Sequence, residues 1–351
     1  MKNYRPMRVN KGNISYLLDK RAVITFLILV CITVLSIIVS AGVGDRFISP
    51  LDVGKSLLGI GSKLDQLVVQ SFRMPRILIA LLAGICLAAA GSILQGLIRN
   101  PLASPDIIGV TGGASVAIVL FILLFSTSSG ALTVNIAWQP LAAFAGASIT
   151  GMVVYALSYK NGVSTFRLIL IGIGTSMLAQ SLTTLLMIKG PIHRVQQANI
   201  WITGSVYGAN WSEVYVLGVA AVVLLLLSFL AIRHVNIQGL GEEVAKGVGS
   251  KVQLHRLYLL LLSTALTACA VSFAGAIGFV GLIAPHIARR LVGSSFGALL
   301  PSASLLGGLL VVLADLIGKS AFAPLEIPAG VFTAAIGAPY FIYLLYKSRN
   351  Q

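Results

Sequence analysis

Charge is what this chain has least of. Asp, Glu, Lys and Arg together make up 10% of its 351 residues, while 57% are hydrophobic and the mean hydropathy is +0.95. Soluble domains carry about a quarter charged residues, so a soluble fold is excluded and an integral membrane protein follows. Acidic residues are the scarcest, 10 against 25 basic. The Lys and Arg fall between apolar runs and not in a patch or stripe, which excludes a nucleic-acid partner and points to the bilayer. Cysteine is scarce too. Cys31, Cys86 and Cys269 each lie alone in an apolar run, which excludes a disulfide framework or a cysteine metal site and reads them as small buried hydrophobes.

Other absences narrow the function. Two Gly-Lys-Ser triplets, ending at Ser56 and Ser320, lack the first glycine of a phosphate-binding loop, with Ser49 and Leu313 in its place; no nucleotide site follows. The histidines His193, His234, His255 and His286 all fall near the ends of apolar runs, none with a Cys, Asp or His at ligand spacing. No catalytic constellation, metal site or cofactor is expected, and the chain is read as a non-enzyme. Its carboxylates are Asp19, Asp45, Asp52, Asp65, Asp106, Glu213, Glu242, Glu243, Asp315 and Glu326. All fit at or beyond the ends of apolar runs, with Asp315 closest to an interior. A proton- or sodium-driven carrier usually keeps an acid at mid-membrane depth, so the energy source is expected to be a partner.

What is present is a series of apolar runs, each near the about 20 residues that cross a bilayer as helix. They lie at 22–43, 75–97, 106–125, 139–158, 167–188, 212–232, 257–275, 278–292, 298–317 and 328–346. The expected fold is an all-α polytopic membrane protein with ten transmembrane helices: a basic tail over 1–21, then a transmembrane domain over 22–348. Assigning alternate loops to the cytoplasm leaves only Arg46, Lys55, Lys63, Arg73, Arg76, Lys189, Arg194 and Lys319 outside, a bias that puts both termini inside. The run at 278–292 is the weak one, because Gly275, Gly278, Gly281 and Pro285 suggest a short or broken helix. Small residues recur at helical spacing in three stripes: Ala80, Gly84, Ala88 and Ser92; Ala142, Gly146 and Thr150; Thr264, Ala268, Ser272 and Ala276. Such stripes let helix backbones approach closely in lipid.

The stretch 72–115 organises the rest. It opens with Arg73-Met74-Pro75-Arg76, runs through an uncharged span, and ends in a polar turn with Asn100-Pro101-Leu102-Ala103, Pro105, Gly109 and Gly113-Ala114. An arginine pair on the side that the positive-inside rule disfavours either snorkels at the interface or makes bidentate bonds to carboxylates of a docking protein. Asn100 either caps a turn or helps to narrow a pore. Further on come Trp201 with Gly204-Ser205, Leu240-Gly241-Glu242-Glu243 with Ala245 and Gly249, and Gly278-Phe279-Val280-Gly281-Leu282 with Pro285-His286 and Arg289. Leu300-Pro301, Ala314-Asp315, Glu326 with Pro328 and Gly330, and Gly337-Ala338-Pro339 complete the series. In this order the motifs resemble the permeases of iron-siderophore and cobalamin ABC importers, the FecCD-type family, over residues 20–348.

The resemblance implies a ten-helix permease with an inverted repeat of helices 2 to 5 and 7 to 10. It pairs with a second permease, the same or a homologous chain, above two cytoplasmic ATPase subunits and below an extracytoplasmic binding protein, either a lipoprotein or a periplasmic protein. It implies docking by Arg73, Arg76 and Lys319, the last in a place where relatives usually carry arginine. It implies a cytoplasmic gate of Asn100 and Leu102 with Ser164 and Thr165. It places the ATPase contact in the loop 236–252, on Gly241, Glu242, Glu243, Ala245, Lys246 and Gly249, with Arg289 and Arg290 in support; Glu242 and Lys246 share a helical face at i, i+4. The expected function is import of a ferric siderophore across a bacterial cytoplasmic membrane by alternating access at the permease dimer interface. Cobalamin or haem is the alternative cargo, and an ATP-independent carrier the alternative class.

Overall fold

The computed structural model describes residues 4–9, 14–44, 46–126, 133–160, 162–190, 192–322 and 325–348. The basic tail is more than a polar arm: β1 (Tyr4–Val9) and β2 (Ile14–Asp19) pair antiparallel with Tyr4 opposite Asp19, the one sheet among the described residues. Asp19 then caps α1 (Lys20–Gly42), accepting from the Arg21 N–H at 2.9 Å. Two short helices follow, α2 (Pro50–Leu57) and α3 (Lys63–Gln66), and a π-helical turn over Leu67–Arg73 runs straight into α4 (Met74–Ile98).

Helix α4 is the axis of the molecule, and most of its residues are buried. It packs against α14 (Phe296–Ser320), α12 (Val252–Ala274), α13 (Val280–Val292) and α9 (Trp211–Leu230). Lipid gives apolar side chains no reason to leave it, so such packing depends on backbones that come close. The first small-residue stripe does this. A Cβ on Gly84 would collide with the Gly307 carbonyl of α14, and one on Gly91 with the Gly281 carbonyl of α13. The other stripes act the same way, Gly146 against Gly113 and Thr264 against Gly151.

The remaining spans are α6 (Gln139–Ser158), α7 (Thr165–Lys189) and α15 (Ala329–Ser348), with α5 (Val110–Leu124) between α4 and α6 and α8 (Ile192–Thr203) after α7. Eight helices among the described residues are long and apolar enough to cross a membrane. Two of the ten expected spans fall short, α5 with 15 residues and α13 with 13. Both begin deep in the bundle after irregular chain. Before α5 the chain runs through a 3-10 turn, Pro105–Ile108, to Gly109 at φ +83°; before α13 it passes Gly275 at φ +70° and Phe279 at φ +65°. A positive φ at a phenylalanine is uncommon, and such backbone persists only where the surroundings hold it.

Candidate functional site

At one end of the bundle the cations Arg73, Arg76 and Lys319 turn out to be engaged within the chain. Arg76, in the first turn of α4, clamps Asp315 of α14 through Nε and Nη2 at 2.9–3.0 Å and donates Nη1 to Glu326 at 2.7 Å. Its side chain is 14% exposed, Asp315 3% and Glu326 40%. Tyr207 lies under the guanidinium, 5.6 Å from ring centroid to Cζ. Arg73 donates to the Ala41 and Arg46 carbonyls, both at 2.6 Å, and so ties the end of α1 to α4. Lys319 points inward: it is buried, and its Nζ donates to the Ser40 carbonyl at 2.6 Å and the Ser40 hydroxyl at 3.1 Å. The three residues do share one end of the molecule. Lys319 is nevertheless buried, against the expectation of a cation held out to a partner, because α1 packs over it.

At the opposite end α9 passes through Ala231 into α10 (Ile232–Gly239), followed by α11 (Glu242–Gly247). Gly241 at φ +112° and Gly249 at φ +78° let the chain turn sharply on either side of α11. Ala245 anchors this helix by burial, whereas Glu243 and Lys246 are exposed. Glu242 accepts from Lys246 at 2.9 Å and from Arg256 of α12 at 2.9 Å. The hydrogen bond from Lys246, then the Arg256 charge, hold its carboxyl below the usual glutamate range.

Arg256, in the first turns of α12, is a hub at this end. It is buried, and its Nη1 donates to the Val163 carbonyl at 2.8 Å while Nη2 holds Glu242. Gln253, one turn earlier, accepts from the Val163 N–H at 2.9 Å. Val163 immediately precedes Ser164 and Thr165, the N-cap and first residue of α7. Thr165 in turn lines a cavity of about 10 Å³ with Leu97, Ile98 and Arg256. Asn100 is a turn former, its Oδ1 accepting from the Leu102 N–H at 2.9 Å, after Arg99 has ended α4 at φ +55°. Of the supporting arginines, Arg290 is exposed, but Arg289 reaches inward to Gln95 at 3.3 Å, and Gln95 donates to the Leu282 carbonyl at 3.2 Å.

Between the two ends the structure corrects three expectations. Asp106 is not at the end of a span: Pro105 lies beside Gly281, which itself packs on Leu87 and Gly91, so the carboxylate is level with the middle of α4. The chain re-enters the bundle after Pro101, and a hydropathy run cannot distinguish this from a helix start. His234 and His255, unpaired by spacing, meet with ring centroids 4.0 Å apart, because α10 folds back on α12. Cys31 is exposed on the lipid-side face of α1, while Cys86 and Cys269 are buried. Side chains of His193 and Arg194 lie outside the described residues, as do Asp45 and Arg349. Among the described residues no three His, Cys, Asp or Glu side chains are grouped to hold a metal ion.

The FecCD transport family model matches residues 32–347. The Bacillus subtilis (strain 168) protein named "Probable siderophore transport system permease protein YfhA" is 65% identical over 333 residues, covering 95% of this chain and 97% of its own. The achromobactin transport system permease protein CbrC of Dickeya dadantii (strain 3937) is 44% identical, covering 92% and 91%. Among solved structures, one described as "an inward-facing conformation of a putative metal-chelate type ABC transporter" superposes with a TM-score of 0.81 at 32% identity, covering 92% of this chain and 98% of that one.

Proposed function

The chain belongs to the FecCD transport family, and from that premise we propose that it carries a ferric siderophore inward across the bacterial cytoplasmic membrane, driven by a separate ATPase. The named cargoes of its relatives, siderophore and achromobactin, support the substrate class. In this reading the chain crosses the membrane ten times, α5 and α13 crossing together with the irregular chain that precedes each, and both termini lie inside. The Arg76 end then faces out and the α11 end faces the ATPase.

The path runs along α7 and α15 at the contact with a second permease. These are the two least apolar of the eight long helices, and α7 exposes Gln180, Ser181 and Thr184 along a groove of about 640 Å³. An amide held against lipid is costly; against a wetted path it is not. Docking falls to the Arg73 and Arg76 region, where a partner carboxylate would compete with the exposed Glu326, while Lys319 holds α14 to α1 beneath it. Asn100, Leu102, Ser164 and Thr165 form the inner mouth. Gly241, Glu242, Glu243, Ala245, Lys246 and Gly249 meet the ATPase, with Arg290 beside them and Arg289 bracing α13.

One observation carries the coupling: Arg256 bonds the ATPase-facing helix and the gate loop at once, through Glu242 and Val163. A push on α11 is thereby a pull on the backbone at the start of α7. The test is Arg256→Gln in the assembled transporter in proteoliposomes, reading radiolabelled ferric siderophore uptake per ATP hydrolysed. Uptake per ATP should fall at least about tenfold, the cost of a charged hydrogen bond lost at a moving joint. An unchanged ratio would remove Arg256 from the coupling path.

A further inference from the structure

Where the two interrupted helices meet lies a carboxylate that the roles above leave unused. Asp106 is partly exposed although it lies level with the middle of α4, so it faces a cavity and not bulk solvent. That cavity, about 410 Å³ and partly open, is lined by Ser104, Ile107, Thr111, Phe279 and Leu282, with Phe341 of α15 at its rim. The Ser104 hydroxyl donates to Oδ2 at 3.1 Å. The Phe279 backbone N–H and the Thr111 hydroxyl also hydrogen-bond to this carboxyl. Asp106 stands, moreover, at the start of α13, whose N-terminal partial charge stabilises an anion. Among the described residues no Lys, Arg or His forms an ion pair with it.

Were this carboxyl ionised, held by hydroxyls and a helix end with no ion-pair partner among the described residues, its charge would project a field into the space it faces. In a cavity with low-dielectric walls that field is strong and little screened. We propose that Asp106 makes this cavity a charge-selecting station on the cargo route: it accepts cationic or hydrogen-bond-donating groups and turns back anionic ones. The cargo is then a ferric chelate of neutral or positive charge. This last step rests on the chelate-permease reading; the charge selection itself does not. The competing role is a clasp, since the carboxylate also touches the second break, 3.9 Å from where a Cβ of Gly278 would stand. A clasp needs only hydrogen-bond acceptors, which asparagine supplies.

The discriminating experiment uses the full-length permease in proteoliposomes, with Cys31→Ser, Cys86→Ala and Cys269→Ala, and a reporter thiol from Ile107→Cys or Phe341→Cys. Reaction rates are taken with a cationic and an anionic methanethiosulfonate of matched size, against a Leu58→Cys control in an exposed loop. The cation-to-anion rate ratio at the reporter should exceed the control by at least about tenfold, the scale of one weakly screened charge at short range. Asp106→Asn should erase that excess and Asp106→Glu keep it. A reporter ratio equal to the control, a ratio unchanged by Asp106→Asn, or a reporter that neither reagent reaches would each overturn the station. If Asp106→Asn fails to fold, the ratio in the chain that keeps Asp106 still decides. Because no cargo or ATP is involved, a charge ratio without siderophore uptake would sink the cargo reading alone.

Discussion

The two ends of the bundle hold their charges in opposite ways. At the Arg76 end, charges 239 and 250 residues apart in the chain are locked into one cluster, with Asp315 almost wholly buried. At the α11 end, Glu242 and Lys246 are one turn apart with side chains 34% and 64% exposed, and only Arg256 is buried. The first arrangement resists motion, because separating a buried pair leaves an uncompensated charge in the interior. The second permits it, because exposed ion pairs exchange for water at little cost. The bundle is thus held firmly at the Arg76 end, while α11 is free to move at the other.

The largest effect that would break this contrast is Asp315→Ala. It strands Arg76 in the bundle and should destabilise the protein by about 3–5 kcal/mol, read as a loss of thermal stability in detergent. Lys319→Met comes next. It leaves the Ser40 carbonyl and hydroxyl without their donor and should cost about 1–3 kcal/mol, with the loosening of α1 visible in hydrogen exchange. Glu326→Gln should cost no more than about 1 kcal/mol, since its carboxylate is 40% exposed and solvent screens such pairs. If it costs as much as Asp315→Ala, the Arg76 cluster is not graded by burial as described.

The smallest effect belongs to the α11 end. Because its partners lower the Glu242 pKa, its pairing stabilises α11 fully above the ordinary glutamate value of 4.5. That contribution disappears as pH falls through the lowered value. Hydrogen exchange across α11 should therefore quicken on acidification below that range, and Lys246→Ala should remove most of the pH dependence. An α11 that stays protected when acidified would show that Ala245 burial alone holds it.

Most of the bundle was legible in the sequence, and the physical reason differs by feature. The long helices announced themselves because each is an uninterrupted apolar run. The stripe Ala80, Gly84, Ala88 and Ser92 announced a close contact, and Gly84 against Gly307 is that contact. Asp106 was misplaced for a related reason: hydropathy records how apolar a run is, not whether it re-enters, so residues 106–109 looked like the first turn of a span. The pairing of Arg256 with Val163, 93 residues away, carried no sequence signal at all. Positive φ at Phe279 was equally silent, since that conformation is rare for phenylalanine and the surrounding glycines drew the attention.

By itself the sequence determined that this chain is a helical bundle in a membrane and where most of its helices run, because lipid obliges every span to satisfy its own backbone and to be apolar for its whole length. Only the tertiary structure decided which charges are buried, which are presented and where the carboxylate of Asp106 faces. Those outcomes depend on how each helix is rotated against its neighbours. That rotation is set by close contacts such as Gly84 on Gly307 and Gly91 on Gly281, between residues more than a hundred positions apart.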